Sequence, residues 1–483
     1  MSLPAAPLRF ASPNERRTIT REDLGLYNAL VIAAVYEFSS KEVDVTSHEI
    51  FTAPLKFCIQ QYPFLGVAVK DKHTERPFYE VVSTIDLENH INIIQPNDLG
   101  TEGENDIFQK VLPPILDRPW PADLPPWRIV VLPLASKGSA ISRCFVSFAF
   151  SHALGDGMVG VLFHRTFLEA WQQSTTIRER ESFLAIPPTR TLPAPFDTPE
   201  RLPISWRFLL GPLIAVYLPK VLNDILGLHA SASPIDAGTW TGSPIFFKSE
   251  ATVTSRVRLL EIDPPLLQNA LRASRSHDTK LTATLHQLII RALGKVVPSQ
   301  DVTNFVSGTP VDMRGSIGAL GSAWGLYVSG YYEMHPRQDA MQATFSDEMW
   351  TAASSMTKSL AECAMRLQDQ AIGLLRYVPS IRDWMTGKLG DRRDSSYELS
   401  NLLAFDGASG ANDRCRISKM VFLQPGNALS APLVFNLISV KGGSLVIAVS
   451  WQIGALGVPV EEEERFVDEI CSSLRADVEA LDG

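Results

Sequence analysis

The sequence has no run of lysines and arginines, and its formal net charge is −9. A nucleic-acid partner is therefore not expected, because such proteins present a basic patch or stripe. An anionic small molecule remains compatible, since a local cluster of cations is enough to hold one. Long apolar runs are missing too. The longest, Trp206–Leu218 (WRFLLGPLIAVYL), contains Gly211 and Pro212 and is too short to span a bilayer. It is expected to be buried or to cap a tunnel, with contact at a membrane surface as the second reading. The opening residues, MSLPAAPLRFASPNERR, lack the apolar core of a secretory signal, so a cytoplasmic location is expected.

Cysteine is scarce. Five are scattered at 58, 144, 363, 415 and 471, with no CxxC pair. A disulfide framework is not expected, and all five read as reduced thiols, mostly buried. There is no HExxH and no His/Cys cluster at metal-ligand spacing, so no metal site is expected. A GxxxxGK[ST] phosphate loop and a GxSxG nucleophile elbow are also absent.

What is present is apolar bulk. The 483 residues are 45% hydrophobic and include nine Trp and 23 Phe. That suits two cores in domains of about 200–250 residues each. Strands are predicted within 24–38, at Leu65–Val69, Phe78–Val82, Trp127–Leu134 and Arg143–Phe150. Helices are predicted at 47–61 and 105–116, and another begins after Gly157, where Val159, Leu162, Phe163, Phe167, Ala170 and Trp171 share a face. Prolines at 187, 188, 193, 195, 199 and 203 then mark a break. The second half restarts with strand Ala251–Leu260 and helices Pro264–Arg275 and Leu281–Val297. Strand Thr303–Val311, a strand-like Trp324–Met334 and a mainly helical 345–375 follow. Strands Arg416–Phe422, Val434–Val440 and Ser444–Trp451 and a helix at 461–480 complete it. Each half alternates strands and helices, so the fold class is α/β. The expected division is 1–185, a crossover at 186–245, and 246–483.

One short segment carries chemistry. His152-Ala-Leu-Gly-Asp156-Gly157 stands between an apolar strand and an amphipathic helix, where a rigid sheet can project a side chain into a cleft. Histidine is the side chain best suited to take a proton near neutral pH. The competing reading is a helix-entry turn in which Asp156 caps the helix. Gly155-Asp-Gly157-Met-Val-Gly160 also satisfies GxGxxG, but no parallel strand with a ribose-binding acid follows, which disfavours a dinucleotide. His164 and His286, on helices, read as structural.

HALGDG after the strand CFVSFAFS resembles the HxxxDG motif of the chloramphenicol-acetyltransferase-like superfamily. That group includes the plant BAHD acyltransferases, the condensation domains of peptide synthetases and fungal alcohol acetyltransferase-like enzymes. LKFCIQQYPFLG (55–66), PPW (125–127), LTATLHQLIIRAL (281–293), PVDMR (310–314) and SYELSNLLAFD (396–406) resemble further family segments in the same order. The DFGWG element of the plant members is missing, which favours the fungal branch. The resemblance implies two chloramphenicol-acetyltransferase-like domains, each a mixed sheet flanked by helices, with a tunnel between them.

It further implies an acyl-CoA-dependent O-acyltransferase, with acetyl-CoA as co-substrate and the hydroxyl of a hydrophobic small molecule, such as a secondary metabolite, as acceptor. No tightly bound cofactor is implied, and a monomer is expected. His152 would be the base. Asp156, the other half of the catalytic motif beside Gly157, would turn away from the tunnel and pair with Arg314. Trp324, Ser400 and Asn401 are the candidate oxyanion or substrate contacts. The alternatives are a condensation-type enzyme using a carrier-protein thioester or forming an amide, and a non-catalytic small-molecule-binding relative.

Overall fold

The structure is a computed structural model. It describes residues 7–40, 43–95, 103–135, 141–173, 182–217, 233–247, 254–299, 301–338, 345–407 and 414–481. Along the first half run β1 (Arg9–Phe10), α1 (Pro13–Asp23), β2 (Leu30–Phe38), α2 (Glu49–Gln61), β3 (Val67–Lys70), β4 (Phe78–Val81), β5 (Ile85–Asp86), β6 (Ile91–Ile93), α3 (Glu104–Asp117), β7 (Trp127–Leu134), β8 (Ser142–Phe150), α4 (Gly157–Gln173) and β9 (Leu184–Ala185). α5 (Trp206–Tyr217) lies in the crossover. The second half holds β10 (Ser255–Ile262), α6 (Pro264–Ser276), α7 (Leu281–Val296), β11 (Asn304–Asp312), β12 (Val328–Pro336), α8 (Asp347–Met365), α9 (Ile381–Thr386), β13 (Tyr397–Phe405), β14 (Cys415–Leu423), β15 (Leu433–Val440), β16 (Leu445–Gln452) and α10 (Glu463–Glu479).

Two mixed sheets dominate. The first has the order β14-β2-β8-β7-β6, the second β10-β16-β15-β13-β11-β12. In the first, β6 and β7 are parallel and the other pairs antiparallel. In the second, β13 lies parallel to both β11 and β15. One strand crosses over: β14 comes from the second half yet pairs along β2, from Cys415↔Phe38 to Leu423↔Val31.

β2 is a continuous apolar run because both of its faces are covered. Ile32, Ala34 and Tyr36 pack with Phe148, Phe163 and Phe167 under α4. Val31, Ala33 and Val35 pack with Phe108 and Phe145 and with Val446 and Ala448 of the second sheet. Phe148 stacks on Phe163 at 3.7 Å between centroids, and Phe145 on Phe108 at 3.9 Å. The second half closes its own core around α7 and α10. Aromatic side chains carry much of this, each burying on the order of 150–250 Å².

Several expectations need correction. Trp206–Tyr217 forms a helix in which Leu209 is buried while Trp206, Leu210 and Ile214, spaced one turn apart, are exposed, so it is not buried all round. Leu218 lies outside the described residues, as does Ala251, where the first strand of the second half was expected to begin. The strand expected from Trp324 begins only at Val328, because 324–327 turn back against the His152 segment. Residues 397–405 are a central strand, to which the sequence reading assigned no element.

α1 was likewise unassigned. Its signal is legible in Ser12-Pro13-Asn-Glu15. The Ser12 hydroxyl accepts from the Glu15 N–H (3.3 Å), and the Glu15 carboxylate accepts from the Ser12 N–H (2.8 Å), with proline in the first turn. Arg9 clamps the same carboxylate at 2.7 Å.

Candidate active site

β8 ends at Phe150, and Ser151 opens a single 3₁₀ turn, His152–Leu154, that leads into α4. Almost every polar group of this turn is held. The Ser151 hydroxyl accepts from the Ala153 N–H (3.2 Å) and donates to Glu22 of α1. Tyr79 donates its hydroxyl to the Ala153 carbonyl (2.7 Å). The Trp324 indole donates to the Leu154 carbonyl (2.9 Å). The Asp156 N–H donates to the Gly325 carbonyl (3.2 Å). Gly155 sits at φ +152°, ψ −173°, a region essentially restricted to glycine. A Cβ there would lie 2.3 Å from Val159 Cγ2 and 3.0 Å from the Gly325 carbonyl oxygen.

This scaffold fixes His152. Its Nδ1 lies 2.9 Å from the Gly155 carbonyl. A carbonyl only accepts, so Nδ1 carries the proton and Nε2 carries the lone pair. Nε2 has no hydrogen-bond partner among the described residues. The ring is half-buried and lies 5.6 Å from the Tyr27 ring. Burial first, then the positive charges of Arg17 and Arg21, push its pKa down to about 3. At neutral pH the imidazole is therefore neutral.

Asp156 points the other way. Arg314 Nη2 donates to its Oδ1 at 2.9 Å and Arg314 Nη1 to its Oδ2 at 3.0 Å, a two-pronged pair in which both side chains are 2% exposed. The Tyr327 N–H adds a bond to Oδ2 (2.8 Å) and the Met158 N–H one to Oδ1 (3.1 Å). The last contact means Asp156 also caps α4. Arg314 spends its remaining donors on Asp312 (3.0 Å), the Ala323 carbonyl (3.0 Å) and the Gly325 carbonyl (3.3 Å). Burial works against its charge, but Asp156 and Asp312 outweigh that and hold its pKa above the ordinary value.

Both Asp156 oxygens are thus taken, by Arg314 and by two backbone N–H groups. Gly157 starts α4 where a Cβ would lie 2.8 Å from Leu402 Cδ2 of β13, and at Gly160 a Cβ would lie 2.4 Å from Ile32 Cδ1. The glycines of the GxGxxG pattern serve close packing. β8 runs antiparallel to both neighbours, which is not the parallel unit a dinucleotide site needs.

The three candidate oxyanion donors separate. The Trp324 N–H is used by Leu154, so that residue is a packing element, its ring 4.2 Å from Tyr62. The Asn401 amide donates one N–H to the Thr282 hydroxyl (3.0 Å) and its oxygen accepts from the Leu403 N–H (2.8 Å), which holds the side chain and leaves it one N–H. Ser400, buried on β13, has a hydroxyl without a partner among the described residues. Leu399 beside it faces the second core, so strand alternation turns Ser400 with Glu398 to the opposite face. Residues the sequence reading did not find are Arg17, Arg21 and Tyr27, which reach His152 from α1 and the segment after it. His164 bonds Tyr36 and the Ile32 carbonyl (2.9 Å each), and His286 bonds Tyr397 (2.8 Å) and Thr309 (3.1 Å). Both are fully buried and structural. Among the described residues, no three His, Cys, Asp or Glu side chains are grouped to hold a metal, and no helix is long and apolar enough to cross a membrane.

Two mixed sheets sharing an exchanged strand, with an HxxxDG turn clamped between the halves, make up a chloramphenicol-acetyltransferase-like fold. The chain belongs to the alcohol acetyltransferase family, whose model matches residues 18–477. It is 22% identical over 445 residues to the probable alcohol acetyltransferase FCK4 of Fusarium pseudograminearum, covering 87% of this chain and 84% of that one. The trichothecene 15-O-acetyltransferase TRI3 of Fusarium sporotrichioides superposes with a TM-score of 0.65 at 12% identity, over 97% of this chain and 94% of that one. The first condensation domain of the CDA synthetase gives 0.57 at 13%, over 99% and 98%. At such identities the likeness to solved structures speaks for the fold.

Proposed function

We propose that the protein transfers an acetyl group from acetyl-CoA to the hydroxyl of a small-molecule acceptor, with His152 as general base. The observation that carries this reading is the state of that imidazole: neutral, with Nδ1 tied to a carbonyl and Nε2 open. Nε2 takes the hydroxyl proton as the oxygen attacks the thioester carbonyl. The carbonyl carbon becomes tetrahedral and its oxygen takes the negative charge. Ser400 is the donor offered for that oxyanion, its hydroxyl being wholly free among the described residues where Trp324 has no N–H left and Asn401 has one. Collapse expels the CoA thiolate, which recovers the proton from the imidazolium. Asp156 and Arg314 hold the turn and touch neither substrate. In the two-domain reading, residues 1–185 and 246–483 bring their sheets together around this site.

The test is acetyl transfer to a panel of alcohols by the wild type and by His152→Ala, run with acetyl-CoA and with an acetylated phosphopantetheinyl carrier protein. Transfer from free acetyl-CoA, lost in the variant, supports the reading. Transfer only from the carrier protein, or only to amines, selects the condensation-type alternative. Tight binding without any turnover selects a non-catalytic relative.

A further inference from the structure

α1 presents Arg17 and Arg21, one turn apart, toward His152. Arg17 uses only Nε, donating to the Asn14 side chain at 3.2 Å. Arg21 makes no hydrogen bond or ion pair among the described residues, and its Nε is buried without a partner. Its guanidinium instead lies over the Tyr27 ring at 4.3 Å. Tyr27 is fixed by its hydroxyl, which donates to Gln424 at 2.8 Å, and its ring lies 5.6 Å from that of His152. Arg21 and the His152 ring, which is tilted at 45° to Tyr27, therefore both neighbour that ring.

A buried guanidinium with no hydrogen-bonded partner is costly, and such a group in a cleft is a candidate for a ligand to complete. Two carboxylates face the same space but do not bond either arginine. Glu398 accepts from the Gln424 amide at 2.8 Å, and Asp394 accepts from the Ser395 hydroxyl at 3.1 Å. Burial pushes Glu398 above the usual carboxylate range, which weakens it further as a counter-ion. Lys388 adds another positive charge nearby, its ammonium over the Trp384 ring. Asp391 and Asp394 act on that ammonium in turn, so what is missing here, among the described residues, is a direct partner for the Arg21 guanidinium.

We infer that Arg21, backed by Arg17, is an anion-binding subsite beside His152, and that the acceptor is an alcohol carrying a carboxylate a few bonds from its hydroxyl. This rests on the acyltransferase reading and replaces a purely hydrophobic acceptor with a hydroxy acid. The phosphates of CoA are the other anions at hand. They lie the whole length of the pantetheine arm from the reacting sulfur, whereas Arg21 and the imidazole neighbour the same tyrosine ring. The same charges oppose protonation of His152, so an acceptor carboxylate that offsets them also makes the imidazolium easier to form. Substrate binding and base strength are then coupled.

The experiment measures kcat/KM at saturating acetyl-CoA for mandelate and tropate against their methyl esters, with wild type, Arg21→Gln and Arg21→Lys. Melting curves accompany each variant. The wild type favours each acid. Arg21→Gln lowers the acid-to-ester ratio about ten- to a hundredfold, the range for losing a hydrogen bond to a charged group, and Arg21→Lys recovers part of it. An unchanged ratio in Arg21→Gln overturns the inference, as does a KM for acetyl-CoA that rises instead, which would assign Arg21 to the CoA phosphates. Calorimetric binding of the same acids and esters without acetyl-CoA keeps the two readings apart. Acid-selective, Arg21-dependent binding with no transfer upholds the subsite and overturns the reaction. Transfer without acid preference does the reverse.

Discussion

Arg314 and Asp156 stand 158 residues apart in sequence and meet through two parallel N–H···O bonds of 3.0 and 2.9 Å. The pair joins β11 of the second half to the turn that carries His152. Removing one partner leaves the other charge buried and uncompensated, which costs about 3–5 kcal/mol. Asp156→Asn should therefore lower both the melting temperature and kcat. Arg314→Met should do the same, and the double variant should lose less than the sum. Strict additivity in a denaturant titration would show that the two do not act as a unit.

His152→Ala removes a half-buried ring that holds one bond, to the Gly155 carbonyl. Folding should be nearly intact, and turnover should drop by about 10²–10⁴, the usual contribution of a positioned base. A folded variant with near-normal turnover would end the assignment.

Gly155→Ala is expected to fail differently. The new methyl would meet Val159 Cγ2 and the Gly325 carbonyl oxygen in a backbone conformation closed to alanine. The Nδ1 acceptor of His152 would move with it. Loss of stability should accompany loss of activity, and a fully stable, inactive Gly155→Ala would refute the packing account.

His90, His164 and His335 are buried, and burial pushes each pKa down to about 4. Unfolded histidines titrate near 6.5. Above that value neither state binds the proton and the stability is complete. Between about 6.5 and 4 the unfolded chain takes up protons that the native state refuses, so stability falls as the pH falls. Each ring contributes about 1.4 kcal/mol per pH unit in that window. Buried carboxylates such as Asp117 and Glu398, raised by burial, act in the opposite sense. A difference measurement cancels them: His164→Gln should flatten the slope of stability against pH by about one proton. An unchanged slope would mean that His164 is charged in the native state.

The site was legible where local chemistry decides and illegible where distant chain segments do. HxxxDG at a strand end could be read from residue types and order, and Arg314 as the partner of Asp156 followed from the resemblance of PVDMR to a superfamily segment. The role of Trp324 could not, since its N–H is taken by a carbonyl 170 residues away. Asn401 is likewise held by Thr282. For β14, periodicity gave the strand but not its sheet, because an apolar strand buried on both faces pairs equally well with either half. Arg17 and Arg21 went unread with α1, whose polar surface hides its helical period. The capping box at Ser12 and Glu15 was the available clue.

The kinetic route separates a base from a nucleophile. All five cysteines are buried, and burial pushes each thiol above its ordinary pKa, so none offers a thiolate. Cys144 lies on β8, paired with Tyr36, and eight extended residues, roughly 26 Å, separate it from His152. A lone base between two substrates demands that both be bound together. Initial-rate plots at several acceptor concentrations should then intersect. Acetyl-CoA alone should give slow hydrolysis and leave the intact mass of the protein unchanged. Parallel lines with a stable acyl adduct would require a covalent intermediate, and the base-only mechanism would fall while the fold and family stood.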